Sequence, residues 1–223
     1  MVPEVTTALR QNLVKVPEVI KQASGIIILG KKIRSIVFST DIALIRNINA
    51  DAVLAVYPFT PHPAIMQAIS MSADIPILAG IGGGLTHGER SMNMSLFAES
   101  LGSLSVVLNA PTPVATIQRV EEVIDIPIIL TVVSAKTDLA PYLAAGVDIV
   151  NISGAAATVE IVKSVRQRYP ELPIIATGGP TDATIAAAIA AGANAISYTP
   201  PSNGALFKAK MAHYREDANK EID

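Results

Sequence analysis

The chain has 223 residues, a length that suits one large domain with a well-filled core. Half of the residues are hydrophobic and mean hydropathy is +0.44, yet apolar runs such as 75–81 are too short to span a bilayer. A formal charge of −2 leaves no basic field that would attract nucleic acid or an anionic membrane. The lack of cysteine excludes disulfides, thiolate metal sites and a cysteine nucleophile. We therefore expect a cytoplasmic protein without a signal peptide, whose partners are small molecules.

Short apolar strands alternate with amphipathic or alanine-rich helices from residue 33 onward, at a spacing of roughly 20 to 25 residues. The strands are rich in Ile, Val and Ala, a composition that favours parallel strands buried on both faces. We count eight strand-helix units. The predicted strands are 33–39, 51–57, 75–80, 105–109, 126–132, 148–153, 172–177 and 195–199.

Internal similarity supports this count. The third, fifth and seventh strands open alike, with a proline after their first apolar residue (Pro76, Pro127 and Pro173). The second, sixth and eighth strands instead follow segments in which a glycine or asparagine ends the preceding helix. Eight parallel strands can close and so remove both sheet edges, which predicts an α/β fold, the closed (β/α)8 TIM barrel. A doubly wound open sheet is the alternative, but residues 39–41 lack its glycine-rich fingerprint.

The first 32 residues lie outside the repeat. We expect one domain over 1–223, with an N-terminal extension at 1–32, the eight units at 33–216 and a charged tail at 217–223. Within the extension, the sequence predicts a helix that starts at Val16, Pro17 and Glu18. Residues 26–32 predict a hairpin, which we expect to plug the bottom of the barrel.

An anion site is predicted at the ends of the last two strands, because active sites of such barrels lie where the strands end. Thr177 is followed by Gly178 and Gly179, and two glycines let the backbone approach a ligand at a helix start. A phosphate would fit there, and the hydroxyls of Thr199 and Ser202 could complete the cradle. The alternative is a tight strand-to-helix turn that holds no ligand.

The segments IIATGG at 174–179 and AGANAI at 191–196 resemble the phosphate-binding barrel superfamily. That superfamily includes inosine monophosphate dehydrogenase, thiamine-phosphate synthase and the phosphogluconate-type aldolases. Its members usually place glycine with serine or threonine after the eighth strand, whereas this sequence has YTPP at 198–201. The resemblance implies a phosphate cradle at the mouth of a (β/α)8 barrel.

Two further resemblances concern other parts of the chain. The corner after the eighth strand is similar to that of glycerol uptake antiterminator proteins, which implies a metabolite-sensing regulatory barrel. The segments YPFTPHP at 57–63 and NAPTP at 109–113 resemble a little-characterised bacterial barrel family that is loosely labelled as hydrolases.

Three titratable side chains on the expected top loops are catalytic candidates. Asp41 follows the first strand, where a carboxylate could act as a base or a metal ligand and could equally cap the next helix. His62 and His87 could each move a proton near neutral pH. Their spacing matches no metal-binding motif, so a hydrogen-bonded loop histidine is the simpler interpretation.

Two amides complete the catalytic candidates. Asn109 and Asn151 end the fourth and sixth strands, and each could orient a carbonyl or hydroxyl of a ligand if it points inward. Ser153 and Gly154 follow the second amide and extend the predicted binding surface.

The segment 80–90 contains five glycines and ends in His87, Glu89 and Arg90. This composition predicts the longest flexible loop of the barrel, which could act as a lid over a ligand or be only a mobile surface loop.

Several reaction types lack their usual residues. No lysine ends a strand, no GxSxG motif is present, and no pair of carboxylates lies near strand ends. We predict an enzyme of the isomerase, lyase or hydrolase type that acts on a small anionic, phosphorylated metabolite. The alternatives are a flavin mononucleotide-binding oxidoreductase, a metabolite sensor and a barrel without chemistry, and a homo-oligomer is left open.

Overall fold

The computed structural model describes residues 3, 5–7 and 13–220, the side chains of 217–220 excepted. The predicted extension at 1–32 and tail at 217–223 therefore lie partly outside the described residues. A short 3-10 helix (Glu18–Gln22) is followed by an antiparallel hairpin of β1 (Ile26–Ile28) and β2 (Lys31–Ile33). Eight strand-helix units come next: β3 (Ser35–Phe38), α1 (Ile42–Arg46), β4 (Ala52–Ala55), α2 (Pro63–Ser72), β5 (Ile77–Gly83), α3 (Glu89–Ser100), β6 (Ser105–Asn109), α4 (Val114–Glu121), β7 (Ile128–Val132), α5 (Ala140–Ala144), β8 (Val147–Ile152), α6 (Thr158–Arg168), β9 (Ile174–Thr177), α7 (Asp182–Ala190), β10 (Ala195–Tyr198) and α8 (Asn203–Lys220).

The eight strands from β3 to β10 form a closed parallel barrel. The last strand closes it, because β10 pairs with β9 on one side and with β3 on the other. The predicted (β/α)8 barrel is therefore confirmed, and the open doubly wound sheet is excluded. Closure also places the end of every strand around one mouth.

The repeated prolines have a clear role at the bottom of the barrel. Each lies just before a strand and has no N–H to leave unpaired, while its carbonyl accepts a backbone N–H from a neighbouring strand. The bonds are Val53 to Pro76 at 2.9 Å, Val106 to Pro127 at 3.0 Å and Val150 to Pro173 at 3.1 Å.

Polar residues at the starts of three strands complete the same network. Their side chains accept N–H groups at the start of an adjacent strand, where the parallel ladder supplies no backbone partner. Asp51 Oδ2 accepts from Arg34 and Ser35, Asp148 Oδ2 accepts from Ile128 at 2.9 Å, and Asn194 Oδ1 accepts from Ile174 at 2.9 Å.

The barrel interior is a buried apolar cluster, and the N-terminal hairpin belongs to it. Ile26, Ile28 and Ile33 of the hairpin cluster with inward residues such as Ile36 and Leu78. The hairpin thus closes the bottom of the barrel. The helix predicted from residue 16 is a 3-10 turn, whose buried Ile20 joins the layer between strands and helices.

Two segments differ from expectation. β5 continues to Gly83, beyond its predicted end at residue 80, and α8 continues to Lys220 through part of the predicted tail. Within the described residues, none of the helices has the length and apolar character needed to cross a membrane.

We expect Asp148→Ala to lower the free energy of unfolding by about 1–3 kcal/mol, because it leaves the N–H of the fully buried Ile128 unpaired. Urea unfolding would measure the change. Asp148→Asn keeps an oxygen acceptor and is the matched control. An unchanged midpoint for the alanine variant would contradict the structural role of this side chain.

Candidate active site

An inner cavity of about 190 Å³ lies at the C-terminal ends of the strands. Along β6, β7, β8 and β9 the inward residues change from apolar to polar. Val107, Ile129, Ile149 and Ile175 are apolar, and the inward residues two positions later are polar. The lining residues are Phe38, Leu54, Val56, Asn109, Thr131, Asn151, Ser153, Thr177, Ser197 and Thr199.

The inner cavity has one apolar side and one polar side. Phe38, Leu54 and Val56 belong to β3, β4 and the residue after β4, which are adjacent in the barrel. The amide and hydroxyl side chains come from the other arc, β6 through β10. Among the described residues that line this cavity, none carries a formal charge.

A chain of hydrogen bonds crosses the polar side. Asn151 Nδ2 donates to Thr131 Oγ1 at 3.3 Å, and Thr131 Oγ1 donates to Asn109 Oδ1 at 3.2 Å. Asn151 is only 5% exposed, and its Oδ1 finds no hydrogen-bond donor among the described residues. A buried acceptor without a donor is unfavourable in a folded protein, so this atom marks a place where a ligand would gain a hydrogen bond.

An outer cavity of about 740 Å³ adjoins the inner one, since Val56 and Asn109 line both. It lies between the loop after β4 and the end of β5. Phe59 and Leu85 are 77% and 100% exposed at its rim. Its lining is Val56, Tyr57, Pro58, Phe59, Thr60, Pro61, Gly80, Gly82, Gly83, Gly84, Leu85, Thr86, Asn109 and Ala110.

The glycine-rich segment 80–90 is divided between the end of β5, a turn at 84–88 and the start of α3, so the prediction of a flexible loop over all of it was wrong. Residues 80–83 belong to β5 and pair with β6. Gly83 has φ +101°, and an added Cβ would lie 2.6 Å from the Asn109 N atom. Glycine is needed here because the two backbones approach closely. Only a short turn separates β5 from α3.

Five of the predicted site residues lie together. Asn109, Asn151, Ser153, Thr177 and Thr199 all line the inner cavity. They come from four strands or strand ends, so barrel closure brings them together.

Three other predicted residues cap helices instead. Asp41 Oδ1 accepts the N–H groups of Ala43 and Leu44, at the start of α1. His62 Nδ1 accepts from Ala64 at the start of α2, and Ser202 Oγ accepts from Ala205 near the start of α8. His87 is exposed on the turn before α3 and lines neither cavity. Helix capping and loop catalysis use the same types of polar side chain, so the sequence alone does not distinguish the two roles.

The predicted glycines have mainly local roles. A Cβ on Gly178 would lie 2.7 Å from Ile196 and 2.9 Å from Ile185, so its absence lets α7 pack closely on the barrel. Gly179 has φ +75° and is exposed. Gly154 donates its N–H to Thr158 Oγ1 at the start of α6.

Three mouth residues were missed by the sequence analysis: Thr131, Ser197 and Tyr57. Thr131 and Ser197 lie within strands, and they were missed because the sequence analysis considered only polar residues at or after strand ends. The signal that could have found them is a polar residue two positions after a buried apolar one. Tyr57 follows β4, and its Oη accepts the N–H of His62 at 2.8 Å.

No group of three or more His, Cys, Asp or Glu side chains within the described ranges is arranged to hold a metal ion. The basic residues Lys31, Lys32 and Arg34 lie on or beside β2, at the barrel end opposite the mouth.

Solved structures share this fold. A phosphonopyruvate hydrolase in complex with oxalate and Mg²⁺ matches with a TM-score of 0.60 and 17% identity, over 92% of this chain and 86% of that chain. A phosphoenolpyruvate phosphomutase from Streptomyces platensis subsp. rosaceus matches with a TM-score of 0.58 and 16% identity, over 84% and 83% of the two chains. A 2,3-dimethylmalate lyase of the PEP mutase/isocitrate lyase superfamily matches with a TM-score of 0.59 and 16% identity, over 99% and 90%.

Identities this low establish the barrel fold and nothing finer. These neighbours lend no support to the similarity with glycerol uptake antiterminators. No protein-family model and no curated protein matches the sequence.

We expect Gly178→Ala to lower the free energy of unfolding by about 1–3 kcal/mol, because the added methyl group would overlap Ile185 and Ile196. Chemical denaturation would measure this. Gly204→Ala is the control, since nothing lies closer than 4.0 Å to its added Cβ. Equal stability of the two variants would show that Gly178 is not needed for packing.

We expect Asp41→Ala to lose about 0.5–2 kcal/mol of stability, because α1 loses its side-chain cap. Asp41→Ser retains a capping oxygen and should lose much less. Thermal and urea unfolding would compare the variants. A serine variant as unstable as the alanine variant would argue against a capping role.

Proposed function

We propose that this chain is an enzyme that binds a small anionic metabolite in the inner cavity and performs lyase, mutase (isomerase) or hydrolase chemistry on it. The observation that carries the proposal is Asn151, a buried amide on the cavity wall whose Oδ1 has no donor within the described structure. Three other buried polar atoms also lack a partner within the described structure, namely Arg34 Nε, Ser103 Oγ and Ser105 Oγ, but none of these residues lines either cavity at the mouth. Asn151 is therefore the unpartnered group that a ligand bound at the mouth could satisfy.

The uncharged wall is suited to an anion. Thr177, Ser197 and Thr199 bring three hydroxyl donors to one side of the cavity. In a site with little water, fixed neutral donors bind an anion and stabilise negative charge that develops on an enolate or oxyanion. The cavity could therefore stabilise reactions that develop negative charge, even though its described lining residues carry no formal charge.

The structural neighbours support the same broad class. They are named as a phosphonopyruvate hydrolase, a phosphoenolpyruvate phosphomutase and a dimethylmalate lyase, which are hydrolase, mutase and lyase enzymes of small anions. One of them was solved with oxalate.

Magnesium does not fit this cavity as it is built. Mg²⁺ is usually held through one or two carboxylates. The lining of the inner cavity offers only amide and hydroxyl oxygens among its described polar groups. We therefore derive no step through a metal, although one neighbour was solved with Mg²⁺.

A phosphoryl group is one form that the anion could take. Thr177 lines the cavity and directly precedes the two glycines of the predicted cradle. The packing role of Gly178 leaves the Thr177 hydroxyl as the better supported contact of this corner. The regulatory alternative has less support, because the basic cluster lies at the opposite end of the barrel.

We expect at least one of oxalate, pyruvate, phosphoenolpyruvate, inorganic phosphate and L-malate to raise the Tm of the protein, and glycerol not to. A ligand at about 100 times its Kd adds roughly 2.7 kcal/mol of stability. Asn151→Leu should weaken binding at least tenfold, since it removes the cavity amide. Gln67→Leu also replaces an amide side chain by leucine, but on an exposed face of α2, and this variant should bind the anion normally. The proposal fails if no anion stabilises the protein, or if both leucine variants respond as the native protein does.

A further inference from the structure

The hydrogen bonds across the mouth all run in one direction, from one amide through Thr131 to the other. A threonine hydroxyl carries one proton, so Thr131 donates to one asparagine and accepts from the other. As the chain stands, Thr131 donates to Asn109 Oδ1 and accepts from Asn151 Nδ2. Asn151 Oδ1 then remains as an acceptor, and Asn109 Nδ2 remains as a donor on a residue that lines both cavities.

The same result holds if both side-chain amides are rotated by 180°, which exchanges the positions of their oxygen and nitrogen atoms. Asn109 would then donate to Thr131, and Thr131 would donate to Asn151. The groups left for the cavity would be Asn109 Oδ1 and Asn151 Nδ2. In either polarity the wall presents one amide oxygen and one amide NH₂ group.

A ligand that satisfies this wall must offer a donor and an acceptor side by side. A fully ionised anion such as oxalate has acceptors only, and it would leave the amide oxygen without a donor. A hydroxyl group can both donate and accept. The wall therefore selects for a hydroxyl next to the anionic group.

The other two sides of the cavity match the remaining groups of such a ligand. Thr177, Ser197 and Thr199 supply hydroxyl donors for a carboxylate, and Phe38 and Val56 supply an apolar surface. A volume of about 190 Å³ suits a short-chain acid, and a larger ligand would have to extend into the adjoining outer cavity.

We propose that the ligand of the inner cavity is a small hydroxy acid, bound with its hydroxyl at the Asn109–Thr131–Asn151 wall and its carboxylate at the β9 and β10 hydroxyls. This inference rests on the proposed function. The three walls differ in chemistry and lie in a fixed order around the barrel. A carbinol carbon with hydroxyl, carboxylate and apolar substituents matches them in one handedness only, so binding is stereospecific.

Titration calorimetry on the full chain tests this with matched acids: L-lactate and D-lactate against propionate, and L-2-hydroxybutyrate and D-2-hydroxybutyrate against butyrate. We expect the better hydroxy acid enantiomer to bind at least tenfold more tightly than the acid that lacks the hydroxyl. We also expect at least a fivefold difference between enantiomers.

Thr131→Val tests the origin of this preference. Valine has nearly the shape of threonine but cannot hold the two amides in opposite senses, so both amides can turn NH₂ groups to the ligand. The variant should bind propionate or butyrate more tightly than the native protein does, and its preference for the hydroxy acid should fall below threefold. Thr131→Ser keeps the hydroxyl and should keep the preference.

The two proposals fail in different ways. If the acids without a hydroxyl bind the native protein as tightly as the hydroxy acids, this inference is wrong and the anion site stands. A preference that survives in Thr131→Val would also overturn it. If no acid of either series binds but an anion such as phosphate or oxalate does, this inference is wrong and the proposed function stands. If no anion of either experiment binds, both fall.

Discussion

Closure of eight parallel strands is the constraint on which the rest of the structure depends. It removes both sheet edges, and it requires every strand to alternate residues between the barrel axis and the helices. The interior then becomes a stack of layers to which each strand contributes. The polar side chains at the mouth pack on an apolar layer. The side chains of that layer offer them no hydrogen-bond partners.

The bottom of the barrel shows how closure is maintained. Proline carbonyls and the side chains of Asp51, Asp148 and Asn194 accept N–H groups that the ladder leaves unpaired at strand starts. The hairpin of β1 and β2 covers the apolar residues below. These N–H groups are thus satisfied at the closed end, where Arg34 Nε, Ser103 Oγ and Ser105 Oγ nevertheless lie buried without a partner among the described residues. Asn151 Oδ1 is unsatisfied at the open end, where its side chain lines the inner cavity.

Much of the fold could be predicted because its signals are local. The strand at 105–109 matches β6 at both ends, and the repeated prolines mark real strand starts. The glycines at 80–83 were taken for a loop because glycine is common in loops. They continue β5 because its backbone packs against β6, which is a contact between distant segments. Likewise, Asp41 and His62 could be caps or catalysts by sequence, and only their bonds to the helix N–H groups decide.

The sequence by itself determined the short apolar strands, the eight units and the polar character of residues such as Asn109 and Asn151. Those properties depend on neighbours along the chain. The tertiary structure alone decided that Thr131 lies between these two amides, since 22 and 20 residues separate it from them. Strand register and closure set that contact. The direction of the hydrogen bonds among the three side chains follows from the one hydroxyl proton of Thr131, which is donated to only one of the two amides.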